Sequence, residues 1–206
     1  TPCGTLFPYT TLFRSNDFIA RLDLEECCVA GVSFGAGIAM RLAAEHPDLR
    51  SKNLVLMSTT MIGPETGSSQ LVGPLVGGLE DYELYWLMET MIERNEPELP
   101  RTENRDVRDV LRIKHPDFYR QVAVSLEDYD ASVYARALEQ PVLMIMGTKD
   151  DLYSEEHEET MRAYIPYLDY RTIEGATHSM VYMHGERVAH MIEEFCKEHC
   201  GFTWME

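Results

Sequence analysis

The feature that most constrains this chain is a serine bracketed by glycines, Gly-Val-Ser-Phe-Gly at residues 31–35. An apolar run precedes it, and residues 38–44 follow at once with helical spacing and good helix formers. The pattern predicts a strand, a sharp turn and a helix, with Ser33 at the apex of the turn. A serine there has a strained backbone, so we expect that a Cβ at Gly31 or Gly35 would collide with the crossing chain. The alternative interpretation is an ordinary glycine-rich turn.

The rest of the chain alternates between strand-like and helix-like segments. Residues 53–58 form a near-continuous apolar run, which is typical of a parallel strand covered on both faces. Two further strands are predicted at residues 141–147 and 167–173, and helices at residues 16–26, 155–164 and 186–200. This alternation predicts an α/β fold built on a doubly wound, mostly parallel sheet.

A long segment without strand signals interrupts the alternation. We expect a helical insertion at residues 62–136, between the core segments 16–61 and 137–206. Its helical patterns lie at residues 81–94, 103–114 and 116–128, and the first of them carries an aromatic and methionine-rich stripe of Tyr82, Tyr85, Trp86, Met88 and Met91. Such a stripe packs a helix onto a core more often than it lines a substrate pocket, and both roles stay open.

Composition excludes several classes of protein. The 206 residues carry a formal net charge of -17, which argues against a nucleic-acid partner because that partner needs clustered Lys and Arg. No apolar run is long enough to span a membrane. Cys196, His199 and Cys200 lack a second ligand pair, so no metal site is predicted. The cysteines are interpreted as reduced thiols, which favours a cytoplasmic protein. His157 and His190 are expected at the solvated surface.

The first residues do not fit the pattern of the remainder. Residues 5–15 resemble the translation of a common sequencing adapter. A cleaved signal peptide is the alternative, but the segment lacks a basic start and a small-residue cleavage site. We therefore expect residues 1–15 to be a non-native leader, with the native sequence beginning near Asn16.

Two polar residues follow the later predicted strands. Asp150 comes directly after residues 141–147, and His178 lies in the turn that begins at Gly175. Taken alone, Asp150 could close a turn and His178 could be a surface residue. The order Ser33, Asp150, His178, each at the carboxyl end of a predicted strand, resembles the α/β-hydrolase fold superfamily. In that family the acid usually lies three residues after the glycine that ends its strand, which selects Asp150 and leaves Asp151 as the fallback.

The resemblance implies a serine hydrolase that needs no cofactor. His178 would take the proton of Ser33 and return it to the leaving group, while Asp150 would fix the tautomer of the imidazole. The backbone N–H of Phe34 would form half of the oxyanion hole. The substrate would be a small carboxylic ester, lactone or thioester. A C–C bond hydrolase or cofactor-free perhydrolase is the first alternative, and a non-catalytic ligand-binding member of the fold is the second.

The insertion at residues 62–136 matches the place where this family carries its cap, so Tyr82, Trp86 and Met88 are candidate substrate contacts. The family's second oxyanion donor comes from a loop upstream of the nucleophile strand, and residues 16–26 contain no candidate for it. We therefore expect the 206-residue chain to lack that donor, to be inactive and to aggregate through an unpaired strand edge, whereas its full-length parent would be active.

Overall fold

The fold is described from a computed structural model in which residues 15–22, 27–46, 53–63, 78–80, 83, 120 and 129–200 are placed. The expected helices of the insertion lie outside these residues, as do Tyr82, Trp86 and Met88. The same is true of residues 1–14 of the expected leader.

Four parallel strands form the centre of the described structure. They are β1 (Cys28–Val32), β2 (Asn53–Met57), β3 (Val142–Gly147) and β4 (Leu168–Ile173), and they lie side by side in chain order. The helices are α1 (15–21), α2 (Phe34–Glu45), α3 (Ser132–Arg136), α4 (His157–Tyr164), α5 (Met180–Met183) and α6 (Gly185–Cys200). The predicted α/β class with a parallel sheet is confirmed.

The sheet is covered on both faces, as the apolar runs of its central strands require. Leu54 and Leu56 of β2 lie in one buried cluster with side chains of α2, α3 and α4. The alternate residues Val55 and Met57 lie in a second cluster with α5 and α6, whose Phe195 is fully buried. Successive side chains of a strand point to opposite faces, so a strand buried on both sides needs an unbroken apolar sequence. Each such side chain contributes about 1.5–3 kcal/mol through burial.

The two ends of the segment 64–128 are joined at the edge of the core. Ile62 and Asp130 form an antiparallel bridge, in which Gly63 N–H donates to the Tyr129 carbonyl at 3.0 Å and Ala131 N–H donates to the Met61 carbonyl at 2.6 Å. The chain therefore leaves and re-enters the core at one point. Ala131 and the following helix α3 are packed against α2.

Two short helices, α3 and α5, were not predicted from the sequence. The turn that begins at Gly175 leads into α5, whose Met180 is fully buried under the sheet. His184 separates α5 from α6, which begins at Gly185. Among the described residues, no helix combines the length and the apolar character that a membrane span needs.

Candidate active site

Ser33 lies at a sharp turn between β1 and α2. Its backbone angles, φ 51° and ψ -122°, are in a region that residues other than glycine rarely adopt. The turn is held by its N–H, which donates to the carbonyl of Met57 at 2.8 Å, and by its carbonyl, which accepts from the N–H of Ala36 at 3.0 Å. The serine side chain is therefore carried by the residue that links the carboxyl end of β1 to the first turn of α2.

The two glycines beside Ser33 differ in the space around them. A Cβ on Gly31 would overlap the carbonyl group of Gly35 and lie 2.6 Å from the Cα of Ala36. A Cβ on Gly35 would have no neighbour within 4 Å. The expectation that an added Cβ would collide at both glycines is therefore wrong for Gly35, because a Cβ at that position would face open space.

This difference predicts opposite effects of the same substitution. Gly31→Ala should lower the free energy of unfolding by about 1–3 kcal/mol, because the added methyl group displaces backbone atoms. Gly35→Ala should leave it unchanged or raise it by about 0.5–1 kcal/mol, because alanine costs less entropy in a helix. Urea denaturation of the two variants measures both effects. Equal destabilisation by the two alanines would contradict the steric account.

Asp150 lies just beyond the carboxyl end of β3 and is almost entirely buried, with a side chain that is 1 % exposed. Its Oδ1 accepts the N–H of Leu152 at 3.3 Å, which closes the local turn that the sequence also allowed. Its Oδ2 is left for another donor and accepts from His178 Nδ1 at 2.9 Å. The carboxylate therefore binds its own loop with one oxygen and the imidazole with the other.

His178 connects this carboxylate to the serine. Its Nε2 lies 3.0 Å from Ser33 Oγ, and its Nδ1 makes the 2.9 Å bond to Asp150. An ionised carboxylate can only accept, so Nδ1 carries the proton of the neutral ring and Nε2 accepts the Ser33 hydroxyl. In this arrangement a proton can pass from Ser33 to His178 while Asp150 stabilises the imidazolium that forms.

The loops that carry Asp150 and His178 are joined to each other by backbone contacts. Lys149 N–H donates to the carbonyl of Ala176 at 2.8 Å, and Gly175 N–H donates to the Thr148 hydroxyl at 2.8 Å. Gly147 at the end of β3 allows this approach, because a Cβ there would overlap the carbonyl group of Ala176. The separation between Asp150 and His178 is thus set by the main chain as well as by their own hydrogen bond.

Two aromatic residues beside these loops were not recognised from the sequence. Tyr153 donates its hydroxyl to the carbonyl of Ser58 at 2.5 Å. His157 is 3 % exposed, so the expectation that it is solvated is wrong. Its place on the acidic helix α4 suggested exposure, but it shares the buried side of that helix with Met161, four residues later. That spacing is the signal that could have identified it.

The remaining candidate residues are placed as follows. Phe34 is the first residue of α2, so its N–H belongs to the first turn of that helix. His190 lies on the surface, 3.3 Å from Glu194. Asp151 follows Asp150 in the same loop, and the carboxylate oxygen that bonds His178 Nδ1 at 2.9 Å belongs to Asp150.

Comparisons of the sequence and of the structure with known proteins indicate the same fold. The sequence model of the "Alpha/beta hydrolase family" matches residues 2–191. No curated protein sequence matches the chain significantly. An esterase from Exiguobacterium antarcticum superposes with a TM-score of 0.80 at 19% identity, covering 92% of this chain and 74% of that one.

Two other solved structures with a similar fold belong to proteins that are named for different activities. A meta-cleavage product hydrolase from Pseudomonas fluorescens IP01 superposes with a TM-score of 0.70 at 16% identity, covering 93% of this chain and 72% of that one. A bromoperoxidase from Bacillus anthracis gives a TM-score of 0.74 at 15% identity, with coverages of 88% and 71%. At these identities the similarity concerns the fold.

Proposed function

Because the chain belongs to the alpha/beta hydrolase family, we propose that this enzyme is a serine hydrolase that cleaves a small carboxylic ester, lactone or thioester through an acyl-enzyme. The observation that carries the proposal is the unbroken hydrogen-bonded series Ser33 Oγ, His178 Nε2, His178 Nδ1, Asp150 Oδ2. Each side chain follows a different strand of one parallel sheet, where ligands of such sheets bind.

Acylation begins at Ser33. His178 takes the hydroxyl proton as Oγ attacks the carbonyl carbon, and it returns that proton to the leaving oxygen or sulfur as the tetrahedral intermediate collapses. In the second half, His178 takes a proton from water as the water oxygen attacks the acyl carbon. It gives that proton to Ser33 Oγ as the bond between Oγ and the acyl carbon breaks and the carboxylic acid is released. Asp150 keeps the proton on Nδ1 throughout and stabilises each imidazolium. Its burial favours this role, because a buried carboxylate interacts more strongly with a neighbouring charge than an exposed one.

The developing oxyanion needs hydrogen-bond donors beside Ser33. The backbone N–H of Phe34 serves as one of them, because it follows the nucleophile directly and lies at the positive end of α2. We propose further that the insertion at residues 62–136 acts as a cap and that Tyr82, Trp86 and Met88, which lie outside the described residues, are its substrate contacts. Its two ends enter the core together at the Ile62–Asp130 bridge, which supports a single inserted unit.

A panel of substrates tests ester hydrolysis against C–C bond hydrolysis and perhydrolysis, which are the alternative activities. We expect hydrolysis of p-nitrophenyl acetate and butyrate that depends on Ser33. Turnover of a vinylogous diketone in preference to the esters would indicate a C–C bond hydrolase instead. Bromination of monochlorodimedone in the presence of acetate, hydrogen peroxide and bromide as the main activity would indicate a perhydrolase, whose peracid product oxidises the bromide. Binding of a ligand without any turnover would indicate a non-catalytic member of the fold.

A further inference from the structure

The side chain of Tyr153 lies close to two imidazole rings. Its ring centroid is 5.0 Å from that of His157 and 6.0 Å from that of His178, with interplanar angles of 52° and 34°. Both distances are within the range in which aromatic rings attract each other through packed faces and edges. Tyr153 is therefore the aromatic neighbour of the histidine that bonds Ser33.

The hydroxyl end of Tyr153 is fixed to the next strand of the sheet. It donates to the carbonyl of Ser58, which follows β2 directly. Ser58 is fully buried, has a positive φ of 46°, and donates its own N–H to the Ile145 carbonyl of β3 at 3.1 Å. The Tyr153 hydroxyl is thus bonded to a main-chain carbonyl that is itself held by the sheet. This bond fixes the position of the hydroxyl relative to the sheet.

The Tyr153 ring also packs against that of His157, which is itself held by hydrogen bonds. Its Nε2 lies 2.8 Å from the Thr59 carbonyl, and its Nδ1 lies 2.9 Å from the hydroxyl of Tyr170. A carbonyl only accepts, so Nε2 donates, and Nδ1 of the neutral ring accepts the Tyr170 hydroxyl. The His157 ring is therefore held at both nitrogens, and the adjacent carbonyls of Ser58 and Thr59 both bind side chains from the region after β3.

The orientation of His178 needs such support because its two hydrogen bonds lie in the plane of its ring. They set the directions of Nδ1 and Nε2 but leave the tilt of the ring to whatever packs against its face. The side chain is 23% exposed, so it is not completely enclosed by protein. Proton transfer from Ser33 requires Nε2 to stay within a few tenths of an ångström of its productive position.

We propose that Tyr153 is a positioning residue, which holds the imidazole of His178 in line with Ser33 and Asp150 by packing against its ring while its hydroxyl is anchored on the Ser58 carbonyl. The proposal rests on the proposed serine-hydrolase function. Tyr153 acts through His178 and takes no part in bond making or breaking.

Three variants separate the hydroxyl anchor from the ring. Tyr153→Phe keeps the ring and loses the anchor, whereas Tyr153→Leu loses both. Tyr167→Leu is the control, because Tyr167 is 65% exposed and directly precedes β4, at the end of that strand opposite to its carboxyl end. We expect kcat for p-nitrophenyl butyrate to fall about 30-fold in Tyr153→Leu and about threefold in Tyr153→Phe, with KM changed less than twofold. The control should retain the wild-type kcat.

A purely structural role would give a different result. It would lower the melting temperature without a selective loss of kcat, or would lower activity equally in Tyr153→Leu and in the control. Either outcome would overturn the positioning role. The partial recovery with phenylalanine is the specific sign that the ring itself orients His178.

A second readout does not depend on catalysis. In protein labelled with 15N-histidine, the Nδ1–H proton of His178 is identified by its disappearance in His178→Gln. We expect its exchange with water to become about tenfold faster in Tyr153→Leu than in the wild type, because the ring leaves Asp150 more often. Unchanged exchange would overturn the positioning role. If wild-type protein shows no Ser33-dependent turnover, the proposed function fails, and the exchange rates still decide the role of Tyr153.

Discussion

Ser33→Ala should lower kcat for p-nitrophenyl ester hydrolysis by about 10⁴–10⁶-fold, because the chemistry then loses its covalent intermediate. The variant keeps the β1–α2 turn, whose backbone bonds to Met57 and Ala36 do not use the side chain. KM should change little, since the hydroxyl acts on the transition state more than on the bound ester. Steady-state assays beside thermal melting curves measure the effect and exclude unfolding as its cause.

Ser179→Ala is the matched control for this experiment. Ser179 lies next to His178 in the chain, and its side chain makes no capping bond to α5. We expect this variant to keep kcat within about twofold of the wild type, as for an ordinary surface substitution. A similar loss in both variants, or full activity in Ser33→Ala, would rule out Ser33 as the nucleophile.

Asp150→Asn should lower kcat by about 10⁴-fold while the protein stays folded. The amide oxygen can still accept the N–H of Leu152, so the local turn is preserved. Its NH₂ group, however, favours the tautomer in which Nδ1 accepts, and that tautomer places a proton on Nε2, where Ser33 needs an acceptor. The uncharged amide also stabilises the imidazolium less than a carboxylate does.

Asp151→Asn provides the comparison that the sequence itself suggests. Both carboxylates follow β3, and the same substitution changes the charge of the same loop by the same amount. We expect Asp151→Asn to alter kcat less than about threefold, because the carboxylate oxygen that bonds His178 belongs to Asp150. A larger loss for Asp151→Asn would transfer the supporting role to that residue.

The parts of the fold that the sequence predicted are those set by local and periodic rules. The apolar run at 53–58 became β2 because a strand covered on both faces needs apolar residues at every position. The glycine-bracketed serine lies between a strand and a helix, as the apolar run before it and the helical spacing of residues 38–44 indicated. Asp150 and His178 come together with Ser33 because parallel strands present their carboxyl ends at one edge.

The parts that sequence reasoning missed depend on contacts between distant segments. The open space beside Gly35 depends on how α2 packs in the folded chain. The burial of His157 goes with its contact to the distant Thr59 carbonyl. The role of Tyr153 also depends on a hydrogen bond across 95 positions of sequence. Neither hydrophobic periodicity nor a sequence motif predicts this hydrogen bond, because a tyrosine after a strand has many possible partners.

Active-site labelling shows whether His178 activates Ser33 as a nucleophile. The protein is incubated with a fluorophosphonate, digested, and the modified peptide is identified by mass spectrometry. We expect a phosphonyl adduct on Ser33 that forms at least about 10³-fold more slowly in His178→Ala. An adduct on another residue, or labelling of Ser33 at the same rate without His178, would contradict it.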